Sequence, residues 1–150
     1  MSFNIDRFNA AEWTPRKRGV SLPALEAFFE PGENGEVAAE WVVRGLTGNE
    51  LAKTHKAAES RANAGAIIEA LSAGTKSEKI LEIQRSLGYT DDVEAEVAKR
   101  LEMLVLGSVD PVISLDVAVK LAKHRPVEFY HLTNTITELT GLGSDIKKKS

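Results

Sequence analysis

The 150-residue chain has no cysteine. That absence excludes thiolate nucleophiles, zinc–thiolate sites, iron–sulfur clusters and disulfide staples together, and it suits a reducing cytosol better than a secreted scaffold. Long apolar runs are also missing: nothing approaches the ~20 consecutive residues of a transmembrane helix. The opening Met1-Ser2-Phe3-Asn4-Ile5-Asp6 lacks the basic and long apolar regions of a secretory signal. An excess of positive charge is lacking too, since 19 Lys and Arg stand against 22 Asp and Glu for a net charge of −3. Phosphate and anionic lipid are therefore repelled on the whole, and neither nucleic acid nor membrane is expected as a partner. Aromatic residues make up only 6% of the chain, and no repeat of the period of a solenoid or propeller occurs.

What remains is ordinary globular material. Apolar residues are 43% and charged residues 27% of the chain, near the average of folded proteins. The length suits one domain, able to bury roughly 70% of its unfolded surface without a metal or a cross-link. A soluble cytoplasmic protein is expected.

Residues 1–19 carry isolated aromatics (Phe3, Phe8, Trp13), Pro15 and the basic run Arg16-Lys17-Arg18 without a period, and read as a flexible arm able to dock through its aromatics. Residues 20–143 read as a single domain of hairpin plus helices, and residues 144–150 as a mobile tail. Val37, Ala39, Trp41 and Val43 alternate with their neighbours at the period of a half-buried strand. Leu25, Ala27 and Phe29 alternate upstream, and Pro31-Gly32-Glu33-Asn34-Gly35 has turn chemistry, so the two runs form a β-hairpin. The competing reading of the first run is a short helix opened by Ser21 and Pro23.

Helical signals dominate beyond Leu46. Thr47 and Glu50 have the spacing of a capping box, opening a helix through Leu51, His55, Ala58 and Ala62 to Leu71 and a stop at Gly74. Thr75 to Glu78 repeats that box before a short helix with Ile80, Ile83 and Leu87, ending at Gly88. Thr90 caps a third helix with Asp91 and Asp92 in its first turn and Val93, Val97, Leu101, Leu104 and Val105 as its stripe, up to Gly107. Ser114 caps a fourth helix, which Pro126 ends at Arg125. The last helix opens with Pro126, presents Phe129, Leu132, Ile136 and Leu139 on one face, and stops at Gly141. The fold class is mostly α, with five helices preceded by a small N-terminal β-hairpin.

Catalytic, cofactor and metal patterns are not found. His55, His124 and His131 have no zinc spacing, and Asp91-Asp92 already has a structural reason in the helix dipole. Gly141-Leu142-Gly143 follows a helix where a phosphate loop precedes one. The helices flanking Gly88-Tyr89 have the size of a helix-turn-helix, which makes a small helical DNA-associated regulator or adaptor the alternative reading; the start Asp91-Asp92-Val93-Glu94 would repel a nucleic-acid backbone. The candidates left are surface contacts: Phe28, Trp41 and Val42 on the hairpin and Tyr130 on the last helix. Each competes with a place in the core, Trp41 above all.

The strand ending Val42-Val43-Arg44-Gly45-Leu46-Thr47-Gly48-Asn49-Glu50 and followed by a helix resembles tail assembly chaperones of long-tailed bacteriophages. The order Leu104-Val105-Leu106-Gly107-Ser108-Val109-Asp110-Pro111, then Val117 to Leu121, Pro126, and Phe129 through Ile136-Thr137-Glu138-Leu139-Thr140-Gly141-Leu142-Gly143, is similar to the C-terminal helices of that family. The resemblance covers about residues 20–143. It implies a non-enzymatic chaperone in the host cell cytoplasm, absent from the mature virion, that binds the tape measure protein and assists polymerisation of the tail tube protein around it. Family members often also yield a longer product by a programmed frameshift, and Lys147-Lys148-Lys149 is what an A-rich slippery site would encode. Covering a long client asks for many copies, so self-association is expected as well.

Overall fold

A computed structural model of the chain describes residues 2–59 and 95–147. A short helix α1 (Ile5–Ala10) leads to a two-residue strand β1 (Trp13–Thr14) and a longer strand β2 (Lys17–Ser21). A 3-10 helix (Pro23–Phe28) and a turn then carry the chain to β3 (Glu40–Arg44). Helix α2 follows over residues 48–59. After residue 94 come α3 (Ala95–Gly107), β4 (Ser108–Asp110), α4 (Leu115–His124), α5 (Pro126–Leu142) and a short β5 (Asp145–Ile146). Among the described residues the protein is mainly helical with a small β component, as its composition of elements predicts.

Strands β2, β3 and β4 form an antiparallel sheet in that order. An N-terminal antiparallel pair is therefore present, but its first strand is Lys17–Ser21 and not the run from Leu25 to Glu30. Pro23 fixes φ for a first helical turn and starts the 3-10 helix instead, so the competing helical reading describes this run better, although Leu22 and not Ser21 stands at the N-cap. Leu25 is buried by that turn, while Ala27 and Phe28 face solvent. The turn chemistry holds: the Gly35 amide donates to the Gly32 carbonyl at 2.9 Å, the Gly32 amide to the Glu36 carbonyl at 2.7 Å, and the Asn34 side chain accepts from the Glu36 amide.

The arm boundary expected after residue 19 falls inside β2, where Val20 pairs with Trp41 and both are buried. The tail expected from residue 144 supplies β5, which pairs with β1 in the register Trp13 to Ile146 and Thr14 to Asp145. Ion pairs flank this ribbon, Arg16 to Asp145 at 3.5 Å and Lys147 to Glu12 at 3.8 Å.

The sheet turns one face to the helices. Trp41 and Val43 project to that side with Val20, and α5 lies across them, in contact also with α3 and α4. Phe129, Leu132, Ile136 and Leu139, the stripe read from the sequence, are all buried. They meet Leu101 and Leu104 from α3 and Leu121 from α4 in one contiguous core. Helix α5 also buries Thr133 and Thr135, whose hydroxyls donate to the carbonyls four residues back, Phe129 at 3.1 Å and His131 at 2.8 Å. Such back-bonding satisfies a hydroxyl that would be costly to bury alone. The helix continues through Gly141 to Leu142 and is capped by Gly143, whose φ of 75° is one that residues with a side chain rarely adopt.

Two contacts join the end of β3 to the helices. Gly45 lies so close to α5 that an added Cβ would stand 3.0 Å from the carbonyl carbon and oxygen of Leu139, and the next amide, of Leu46, donates to the Thr140 hydroxyl at 2.9 Å. The predicted capping box of α2 is formed: the Glu50 amide donates to Thr47 Oγ1 at 3.3 Å, and the Thr47 amide to Glu50 Oε1 at 3.0 Å. Arg44, the last residue of β3, grips the same carboxylate with two hydrogen bonds of 2.8 and 2.6 Å.

The Arg44 hydrogen bonds, opposed by partial burial and helped by the Thr47 amide, hold the Glu50 carboxyl down at about 2. A depressed carboxyl stabilises the folded chain above its unfolded value, near 4.5, and that contribution is lost as pH falls from there toward 2. Thermal melts of the wild type between pH 5 and pH 2.5 are expected to fall more steeply than those of Glu50→Gln. Parallel curves for the two proteins would contradict this assignment.

The rest of the first long helix, the second capping box, the short helix from Ser77 to Leu87 and the start of the third helix with Thr90, Asp91, Asp92 and Val93 lie outside the described residues, as do Lys148 and Lys149. The third helix is described from Ala95 and ends at Gly107 as expected, passing directly into β4. The fourth ends at His124, with Arg125, the residue before Pro126, as its C-cap, and Ser114 occupies its N-cap position without a side-chain hydrogen bond.

Candidate interaction surfaces

Pro126 forces a break between α4 and α5: Arg125 adopts φ −133° and ψ 66°, outside the helical region, and its amide closes α4 on the Leu121 carbonyl at 2.7 Å. The corner leaves the first turns of α5 uncovered on one side by any described residue. Val127, Tyr130, His131 and Asn134 recur there at steps of three, one and three, which is a single stripe of a helix. With Pro126 they line an open groove of about 460 Å³. Val127 is largely exposed and Tyr130 is 40% exposed.

Helix α3 supplies the other element of this site. The Arg100 guanidinium sits 4.6 Å from the centre of the Tyr130 ring, and its Nη1 donates to Thr133 Oγ1 at 2.7 Å and Asn134 Oδ1 at 2.9 Å. Glu96 approaches its Nε at 3.5 Å. Phe129 meets the Tyr130 ring edge-on at 5.5 Å from the core side. The ring and the cation are thus both held from behind, a fixed aromatic face beside a fixed positive charge. At the same corner, the exposed Arg125 pairs with the partly covered Glu128, and this hydrogen bond holds the Glu128 carboxyl below its usual range. This arrangement can accept an apolar side chain on Tyr130 and Val127 and a carboxylate near Arg100.

A second apolar surface lies on α1 and the β1–β5 ribbon. Phe3, Phe8 and Trp13 stack in series, with ring centres 5.3 and 5.2 Å apart. Phe3 is 71% exposed, and Phe8 and Trp13 are about half exposed. Ile5 on the same helix and Ile146, paired with Trp13 across the ribbon, extend the patch and are also exposed. These aromatics sit five residues apart, a spacing with no secondary-structure period, so the sequence marks them as isolated. Only the helix and the strand bring the rings together.

Of the four contact residues predicted from the sequence, Tyr130 is in the groove and Phe28 is exposed, at 82%, at the end of the 3-10 helix. Val42 is half-buried on the sheet face turned away from α5, between Gly19 and Asp110 of the neighbouring strands. Trp41 is not a surface residue. The period of two turns it to the helices, it is 6% exposed, and its indole N–H donates to Ser108 Oγ at 3.0 Å. The four do not form one site, because Val42 and Tyr130 lie on opposite sides of the sheet. Sequence reading did not single out Val127, Asn134 or Arg100; the three-and-four spacing from Val127 was the available signal for the first two.

Among the described residues no group of three or more His, Asp or Glu side chains is placed to hold a metal ion. No described helix is long and apolar enough to cross a membrane. No family model matches the chain, and no curated protein or solved structure is detectably similar to it.

Proposed function

We propose that this protein is a tail assembly chaperone of a long-tailed bacteriophage, a non-enzymatic protein that binds the tape measure protein in the host cell cytoplasm, keeps it soluble, assists tail tube polymerisation and is left out of the finished particle. The observation that carries the binding part of this reading is the groove at the start of α5, with its exposed Val127 and Tyr130 and the Arg100 cation held over the ring. A helix of a long amphipathic client can lay its apolar stripe in such a groove and place a carboxylate one turn away beside the guanidinium. The resemblance of residues 20–143 to the chaperone family supplies the identity of the client.

Co-expression with a long, helix-rich tail protein tests the proposal. The client is expected in the soluble fraction with the wild type and in the pellet with Tyr130→Asp, while the variant's own solubility and melting temperature stay near the wild type, because the ring is half outside the core. A client that is equally insoluble with and without the wild-type protein would overturn the reading.

A further inference from the structure

The exposed apolar row on α1 and the β1–β5 ribbon is separate from the groove. We infer that Phe3, Phe8 and Trp13, with Ile5 and Ile146, are the contact through which two copies of this chain associate, row against row about a two-fold axis.

The first ground is area. Five side chains of this size, each about half exposed or more, leave roughly 500 Å² of apolar surface open to water, taking ~200 Å² for a whole large side chain. That is near the top of the range found for the largest patch on a monomer. Two such rows meeting would remove roughly 1,000 Å² before any flanking residue is counted, which is the threshold for a specific protein interface. The second ground is charge. An interface of one surface with itself works only if that surface does not repel its own copy. Among the described residues around the row, acids and bases match in number: Glu12 pairs with Lys147 at 3.8 Å and Asp145 with Arg16 at 3.5 Å, and α1 carries one of each, Asp6 and Arg7. Among the described residues the patch thus has an apolar centre and a charge-balanced polar rim, which suits a contact between two identical surfaces.

Sedimentation of the full chain alone, from micromolar to millimolar concentration, tests this without any client, so its outcome is independent of the chaperone reading. Expected is a monomer–dimer equilibrium in which Trp13 becomes shielded from a soluble quencher as dimer forms; Trp41 is already buried and contributes a constant background. Phe8→Asp is expected to weaken the dimer at least tenfold, through one charge at the centre of an apolar contact. Phe3→Asp, at the most exposed ring, is the second variant should Phe8→Asp disturb folding, and is expected to act in the same direction. A strict monomer up to millimolar concentration overturns the inference. So does a dimer whose stability neither variant changes, or a Trp13 that stays open to quencher in the dimer and is shielded only when a helical client is added.

Discussion

Phe129→Ala is expected to lower the unfolding free energy by about 3–5 kcal/mol, the range for an aromatic side chain removed from a closed core. Phe129 is the largest fully buried side chain among the described residues. It stands where α5 meets the rest of the core, so the space it vacates is bounded by other elements and cannot collapse easily. For a chain of this length each kcal/mol moves the melting temperature by about 2–4 °C, and a drop of about 10 °C should be seen by calorimetry. Urea titration should show a lower midpoint with an unchanged slope. Phe129→Leu keeps most of the apolar volume and is expected to cost less than half as much. Because the Tyr130 ring rests edge-on against Phe129, the alanine variant should also loosen the groove, and client binding should weaken in it even below its melting temperature. A melting temperature within a degree or two of the wild type would show that the core is not organised around this ring.

Gly45→Val is the second large effect, and its cause is different. The new side chain would meet backbone atoms of α5, the carbonyl group of Leu139 at 3.0 Å and the amide of Thr140 at 3.1 Å. Backbone in the packed last turn of a helix cannot rotate aside as a side chain can, so the end of β3 must lift away from α5. Lifting it would also break the hydrogen bond from the Leu46 amide to Thr140. A loss of about 3 kcal/mol is expected, at the upper end for overpacking with a buried donor left unpaired. Gly48→Ala is the matched control. It stands three residues further on, in the first turn of α2, with open space where its Cβ would be. It should be neutral or slightly stabilising, since alanine loses less chain entropy than glycine in a helix. Equal effects at the two glycines would mean that backbone entropy, not the close approach, decides the outcome.

The elements that could be read from sequence are those whose instructions are local. Pro126 divides α4 from α5, the spacing of Phe129, Leu132, Ile136 and Leu139 defines the buried face, and Thr47 with Glu50 opens α2. The alternation of Trp41 and Val43 likewise identifies β3 and its inner face. The partner of β3 could not be found in the same way. Lys17-Arg18-Gly19-Val20-Ser21 has one buried residue and no apolar alternation, and its place beside β3 comes from the match between Val20 and Trp41 across the pair. Leu25 and Phe29, which do alternate, belong to a turn that Pro23 had already committed to a helical path. The same division runs through the surfaces. Tyr130 was recognisable as an aromatic beside the core stripe of its helix, whereas the part played by Arg100 depends on how α3 crosses α5.

The β1–β5 ribbon joins residues from nearly opposite ends of the described chain through two short strands. Its closure spans the longest loop of any strand pairing among the described residues, so the entropic cost of closing it falls once the helices and the three-stranded sheet shorten the path between its halves. During synthesis Trp13 is made long before its partner in β5, because almost the whole described chain lies between the two strands. For the whole interval of translation between them, Trp13 has no strand to fasten it, and Ile146 joins the row only once β5 has been made.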